Sequence, residues 1–216
     1  MGSLQTLSLN LAAPPRPPLR AVVGMESQED FRLLFRLAKI LHRTDRNLPD
    51  LQKHAKAGAV MCIPFGLQAR GFVELFLSFD VPQLYIFSRG TGPMPEERRE
   101  LIRRIRQDVD CSAVVMRKRA MTNYLHPDAI YEEFHTSVAV NDDTDVPVEV
   151  VQPFLKRLKF PAWDQLDPQL RTDMAAAFAI ELSVKASRRM TAERLAQRDP
   201  AGEVAGWLKE IGKSLQ

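Results

Sequence analysis

Glu26 and Asp30 stand four residues apart, where the apolar run Ala21-Val22-Val23-Gly24-Met25 gives way to a segment carrying Leu33, Leu34 and Leu37. Carboxylates at a strand-to-helix junction can hold a hard divalent cation or move a proton. Their plainer role is favourable charge in the first turn of a helix. Ser88-Arg89-Gly90-Thr91-Gly92 is glycine-rich but lacks the spacing and lysine of a P-loop. Residues 94–119 hold eight basic side chains against five acidic ones, an excess of three that equals the net charge of the whole chain. Such a cluster suits phosphate, with Arg89, Arg98, Arg103, Lys118 and Arg119 as the expected ligands. The plainer reading is a solvated helix face laced with pairs such as Glu100 with Arg103 and Arg104. Cys62 and Cys111 form no CxxC, and His42, His54, His126 and His135 share no ligand spacing, so zinc is not expected. Asp142, Asp143 and Asp145 read as an acidic surface loop.

The elements that must position these groups alternate. Apolar runs at 21–25, 58–63, 83–87 and 113–116 have strand length. Helical periodicity marks 28–42, the segment through Val73, Phe76 and Leu77, 95–107 and 127–135. Strands apolar on both faces, each followed by a helix, predict a mainly parallel four-stranded sheet covered on both sides. Ligand chemistry in such a sheet belongs at the carboxyl ends of the strands. Those ends carry Glu26, Pro64-Phe65-Gly66, Ser88-Arg89-Gly90 and Arg117-Lys118-Arg119. Beyond 140 the pattern becomes helical, over 164–189 and 203–213, with no strand between. The expected organisation is a Pro-rich flexible arm over 1–19, an α/β domain over 20–140 and a helical extension over 141–216.

Three stretches at the strand ends resemble a TOPRIM domain of the overcoming-lysogenization-defect (OLD) nuclease type. Glu26-Ser27-Gln28-Glu29-Asp30 resembles the Glu-Gly-x-x-Asp opening, with Ser in place of Gly. Tyr85-Ile86-Phe87-Ser88-Arg89-Gly90 sits where the family has a strand ending in Asp-x-Asp. The run from Arg119 to Ile130, with Asn123-Tyr124-Leu125, resembles the late motif Arg-Glu-x-Glu-Asn-Tyr-Leu. In that family converging carboxylates hold Mg²⁺, which activates water for phosphodiester hydrolysis. Here the Asp-x-Asp positions are Ser88 and Gly90 and the late Glu positions are Ala120 and Thr122, so only Glu26 and Asp30 stay acidic. The resemblance thus implies a degenerate domain in which Glu26 is a residual catalytic position, with Asp30, Ser88, Gly90, Thr122, Asn123 and Tyr124 as motif remnants. Arg89 falls in the former metal pocket, where it would pair with Glu26 or grip a phosphate.

Composition agrees with a soluble globular chain: 216 residues, 45% hydrophobic and 26% charged, with a net charge of +3. No apolar run approaches the roughly 20 residues of a membrane span, and the N-terminus lacks a signal-peptide layout, so a cytoplasmic bacterial protein without membrane association is expected. The expected role is a non-cleaving accessory factor that binds nucleic acid or a protein partner such as an ATPase. The resemblance sets that role in phage or plasmid conflict. No cofactor is expected. The alternative is a Mg²⁺-dependent DNA or RNA nuclease with a site rebuilt around Glu26, Asp30 and a further acid such as Asp80.

Overall fold

The computed structural model describes residues 18–66 and 69–215. The expected arm over 1–19 lies, all but its last two residues, outside them. Four strands, β1 (Ala21–Met25), β2 (Val60–Pro64), β3 (Gln83–Phe87) and β4 (Cys111–Val115), form one sheet in the order β2-β1-β3-β4. Every pairing is parallel. β1 lies beside β3 with Val22 against Gln83 and Met25 against Ile86, the pairing on which the expected arrangement depends. The second strand begins at Val60 rather than 58, because Gly58 (φ 86°) closes the preceding helix in a left-handed turn. The fourth begins at Cys111, which pairs with Gln83.

Alternate strand residues feed two cores. Val23, Met25, Leu84 and Ile86 pack with Phe31, Leu34 and Leu37 of α1 (Gln28–Thr44). Tyr85, Phe87, Cys111 and Ala113 face Val73 of α3 (Ala69–Phe76) and Leu101, Ile102 and Ile105 of α4 (Glu96–Ile105). The α/β fold with a helical C-terminal region is therefore as expected. The C-terminal helices are α5 (Pro127–Phe134), α6 (Val146–Arg157), α7 (Pro168–Val184), α8 (Ala192–Arg198) and α9 (Glu203–Lys213). They cover the α1 side: Val150, Leu182, Leu195, Trp207 and Leu208 share one core with Val23 and Ile86. The boundary at 140 marks a change of secondary structure, and the core runs across it.

Some elements differ from the sequence pattern. The helix expected over 164–189 is α7 between two 3-10 turns, with α8 separate. Two helices fall outside the segments that helical periodicity marked. α2 (Leu51–Ala57) buries only Leu51 and depends on its Asp50 cap. α6 opens Val-Pro-Val-Glu-Val-Val and contains Pro153, a strand-like composition. Its helix is set by Asp145, which accepts the Val148 N–H at 3.4 Å, by the early Pro147, and by burial of Val150, Val151 and Leu155. Among the described residues no helix is long and apolar enough to cross a membrane.

Gly24 occupies a point of close approach. A Cβ there would stand 2.5 Å from Cδ1 of Tyr85 and 3.2 Å from Cδ1 of Phe65. The Tyr85 hydroxyl in turn donates to Gln83 Oε1 at 2.6 Å, and Gln83 Nε2 donates to the Phe76 carbonyl at 2.6 Å. The ring is thus pinned over the β1 backbone and cannot retreat cheaply. Gly24→Ala is expected to cost about 1–3 kcal/mol in urea unfolding. Gly71→Ala, in α3 with nothing within 4 Å of the added methyl, should instead gain up to about 1 kcal/mol. Equal effects at the two positions would remove the packing argument.

Candidate functional site at the strand ends

Glu26 follows directly on β1, and the charge that balances it comes from α4. Arg98 Nη2 donates to Glu26 Oε1, while Nη1 donates to the Ser88 carbonyl at 2.9 Å. Ser88, the first residue after β3, turns its hydroxyl and its N–H (3.4 Å) to the other oxygen, Oε2. Glu26, Ser88 and Arg98 therefore form a clamp joining β1, β3 and α4. Arg89, expected in that pocket, points elsewhere: it pairs with Asp143 and donates to the Asp142 carbonyl at 3.0 Å. Arg98 takes the place because α4 starts close beside the end of β3, as its bond to the Ser88 carbonyl records.

Beyond the strands, 88–90 and 117–119 stay bonded to each other, with Gly90 N–H to the Arg119 carbonyl at 3.0 Å. Gly90 takes a positive φ of 68°, a turn suited to glycine. The loop 141–145 then lies on the cations these segments present. Lys118 pairs with Asp142 and Arg119 with Asp145, and Arg119 N–H donates to the Asp142 carbonyl at 2.7 Å. Arg198 of α8 stands 3.9 Å from Asp142. The Lys118 hydrogen bond, first among these contacts, holds the Asp142 carboxyl below its ordinary range. The loop expected to be a plain acidic surface thus neutralises the basic rim, residue against residue.

Asn123 and Tyr124 explain how the loop is held. Asn123 is fully buried; its amide donates to the carbonyls of Asn141 and Thr144, both at 2.8 Å, and its Oδ1 accepts the Ala120 N–H at 3.1 Å. The Tyr124 ring lies under Lys118 Nζ at 5.3 Å and edge-on to Trp207, and its hydroxyl donates to Glu203 at the start of α9. Glu203 Oε1 accepts the Arg117 N–H at 3.0 Å. His126 caps α5 by accepting the Asp128 N–H at 3.1 Å. The late motif is therefore the joint between strand ends and C-terminal helices.

Of the five expected phosphate ligands, Arg89, Arg98, Lys118 and Arg119 are each engaged with a carboxylate. Arg103 lies exposed on α4, apart from them, beside Arg99 and Arg106. The i,i+3 pair on that helix is Glu96 with Arg99 rather than Glu100 with Arg103. Asp80 precedes β3, so it sits at the amino end of the sheet, a strand length of about 16 Å from the Glu26 end. It cannot share a metal with Glu26. Among the described residues no group of three or more His, Cys, Asp or Glu side chains converges as a metal cage would. Cys62 and Cys111 are buried or nearly so, and burial pushes both thiols up to about 12, far from a reactive thiolate.

Asp30 lies behind the clamp. Its Oδ2 accepts the Ser27 N–H and its own N–H donates to Ser27 Oγ, both at 3.1 Å, which caps α1. Burial, reinforced by the nearby Glu26 and Glu29 charges, raises its carboxyl to about 6 against the Ser27 hydrogen bonds. Asp30 and Thr122 both line a cavity of about 410 Å³ between the start of α1, the 3-10 turn Met121–Tyr124 and α7. Glu203, the Asp142–Lys118 pair and this cavity carried no sequence signal, because each joins segments far apart in the chain.

None of the known family models, curated proteins or solved structures compared with this chain matches it.

The raised Asp30 carboxyl has a signed consequence. A carboxyl lifted from 3.8 to about 6 supports folding below its unfolded value and loses that contribution as pH rises through about 6. Asp30→Asn keeps an acceptor for Ser27 and removes the charge. It should raise stability at pH 7.5 by about 1–2 kcal/mol, below the full linkage value because the carboxyl is partly open to the cavity. The gain should vanish near pH 4. Thermal melts across that range check it, and a loss of stability at pH 7.5 would mean the charge is compensated.

Proposed function

We propose that this chain is a catalytically degenerate, TOPRIM-like accessory protein that acts by binding a protein partner and does not cleave phosphodiesters. The observation carrying this reading is the clamp: the carboxylate of Glu26 is taken up by the Arg98 guanidinium and by Ser88. A monovalent, always-charged side chain stands where a nuclease of the resembled type would need an exchangeable divalent ion. The residues present fit Mg²⁺ poorly, since Glu26 is taken up by Arg98 and, among the described residues, belongs to no group of three or more acidic, His or Cys side chains. The resemblance suggests an ATPase as the partner and phage or plasmid conflict in the bacterial cytoplasm as the setting.

Nucleic-acid binding is the second reading, favoured by the exposed Arg103 and Arg104 on α4. The acidic loop weighs against it at the strand ends, because Arg89, Lys118 and Arg119 are already engaged with Asp143, Asp142 and Asp145. Phosphate would have to displace carboxylates that are tethered to the same molecule.

The test is a pair of assays on the full chain. With DNA or RNA and Mg²⁺ or Mn²⁺, wild type and Glu26→Ala should show the same absence of turnover; metal-dependent cleavage lost in Glu26→Ala would install the nuclease reading. In low-salt anisotropy titrations, wild type should bind nucleic acid weakly. Asp142→Asn with Asp143→Asn should bind at least about tenfold more tightly, with a steeper salt dependence, as the rim is uncovered. Tight wild-type binding that is lost in Arg103→Glu with Arg104→Glu would instead put the nucleic-acid reading first.

A further inference from the structure

We infer that the cavity between α1, the 3-10 turn and α7 binds a small organic cation, an ammonium or guanidinium on an apolar body, with its charge set against Asp30. The cavity, at about 410 Å³, falls in the range of small-molecule sites, roughly 300–1,000 Å³. Its charged lining is Glu29, Asp30, Asp145 and Arg119. Arg119 is consumed by Asp145, and Glu29 has Arg32 at 3.4 Å. Asp30 has only the Ser27 contacts of its helix cap, and no cation pairs with it among the described residues. The lining therefore carries three carboxylates against one guanidinium, which repels anions and leaves one carboxylate without a counter-charge.

The remaining wall sets the shape of the ligand. Leu33 of α1 and Met121 of the 3-10 turn line the cavity together with Ala176, Ala179 and Ile180 of α7. Alanines on α7 leave room that larger residues would fill, and Ile180 is 39% exposed. An alkyl or aryl body fits between these surfaces, and Thr122 adds a hydroxyl-bearing residue to the lining. A bare divalent ion fits poorly, because it needs about six oxygen ligands and the wall offers one free carboxylate. A half-buried carboxylate whose contacts are a helix cap and no counter-cation is held at a cost, which an arriving ammonium or guanidinium relieves. The site is separate from the Glu26–Arg98 clamp, whichever macromolecule the strand ends engage.

Calorimetric titration of the full chain with n-hexylammonium and benzamidinium tests this, with hexanol and hexanoate as neutral and anionic controls. The cations should bind one to one with Kd below about 1 mM, and the controls at least about tenfold more weakly. Asp30→Asn should lose at least about tenfold in affinity for the cations while melting no lower than wild type at pH 7.5, which separates lost charge from lost fold. Ala179→Leu, filling the cavity from α7, should block binding with Asp30 intact. A blocked Leu-Lys-Leu peptide is the second arm. If it outcompetes the free amines, the cation is a side chain of a docking protein; if the amines win, it is a free small molecule. The inference is overturned if no cation binds at about 5 mM, if Asp30→Asn binds as well as wild type, or if Mg²⁺ displaces the amines at equal concentration.

Discussion

A parallel sheet gathers the carboxyl ends of its strands at one edge, and whatever charge the chain places there must be balanced locally. Among the described residues, side chains with a few backbone groups meet that charge. Glu26 is met by Arg98 and Ser88, and the cations after β3 and β4 are met by the loop at 141–145. The arrangement fixes more than charge. Arg98 binds both the Glu26 carboxylate and the Ser88 carbonyl, so the start of α4 is tied to β1 and β3 at once. A planar guanidinium can do this with two parallel donors, whereas a lysine would supply one point charge.

The second consequence is how the helical region is attached. Asn123, at zero exposure, spends both amide hydrogens and its carbonyl oxygen on the loop and the turn around it. An unpartnered amide at that depth would cost on the order of 1–3 kcal/mol, so the loop and the turn specify each other. Tyr124 and Glu203 extend the joint to α9, and Arg198 extends it from α8 to the Asn123 carbonyl at 2.9 Å. The C-terminal helices are thus anchored by polar contacts at the strand ends and by apolar ones along the α1 face, where Trp207 and Leu208 join the sheet core. A strand-end surface that serves as a structural joint has little freedom left to serve as an open groove.

Much of the fold was legible because its signals are local. Runs such as Ala21–Met25 and Gln83–Phe87 are buried at every position, as central parallel strands require. The six buried apolar positions of α1 recur at helical spacing after a Ser27–Asp30 capping box. α6 was not legible, because consecutive valines and Pro153 read as strand and loop until Asp145 and the packing of Val150 and Leu155 override them. The site was legible only as composition. Glu26 and the arginines were visible as charges, but Glu26 and Arg98 are 72 residues apart, and nothing in spacing distinguishes Arg98 from Arg89 as the partner. The acidic loop lies on the surface as its sequence reads, but its partners at 89, 118 and 119 are set by topology and carried no local signal.

Arg98 and Ser88 meet the Glu26 carboxylate in this structure, and the proposed accessory role requires no exchangeable metal there. Mn²⁺ titration followed by water-proton relaxation reads this directly on the full chain. The account predicts that wild type and Glu26→Gln bind Mn²⁺ equally, with no site tighter than about 1 mM. One or two Mn²⁺ ions held at micromolar affinity by wild type and lost in Glu26→Gln would contradict it.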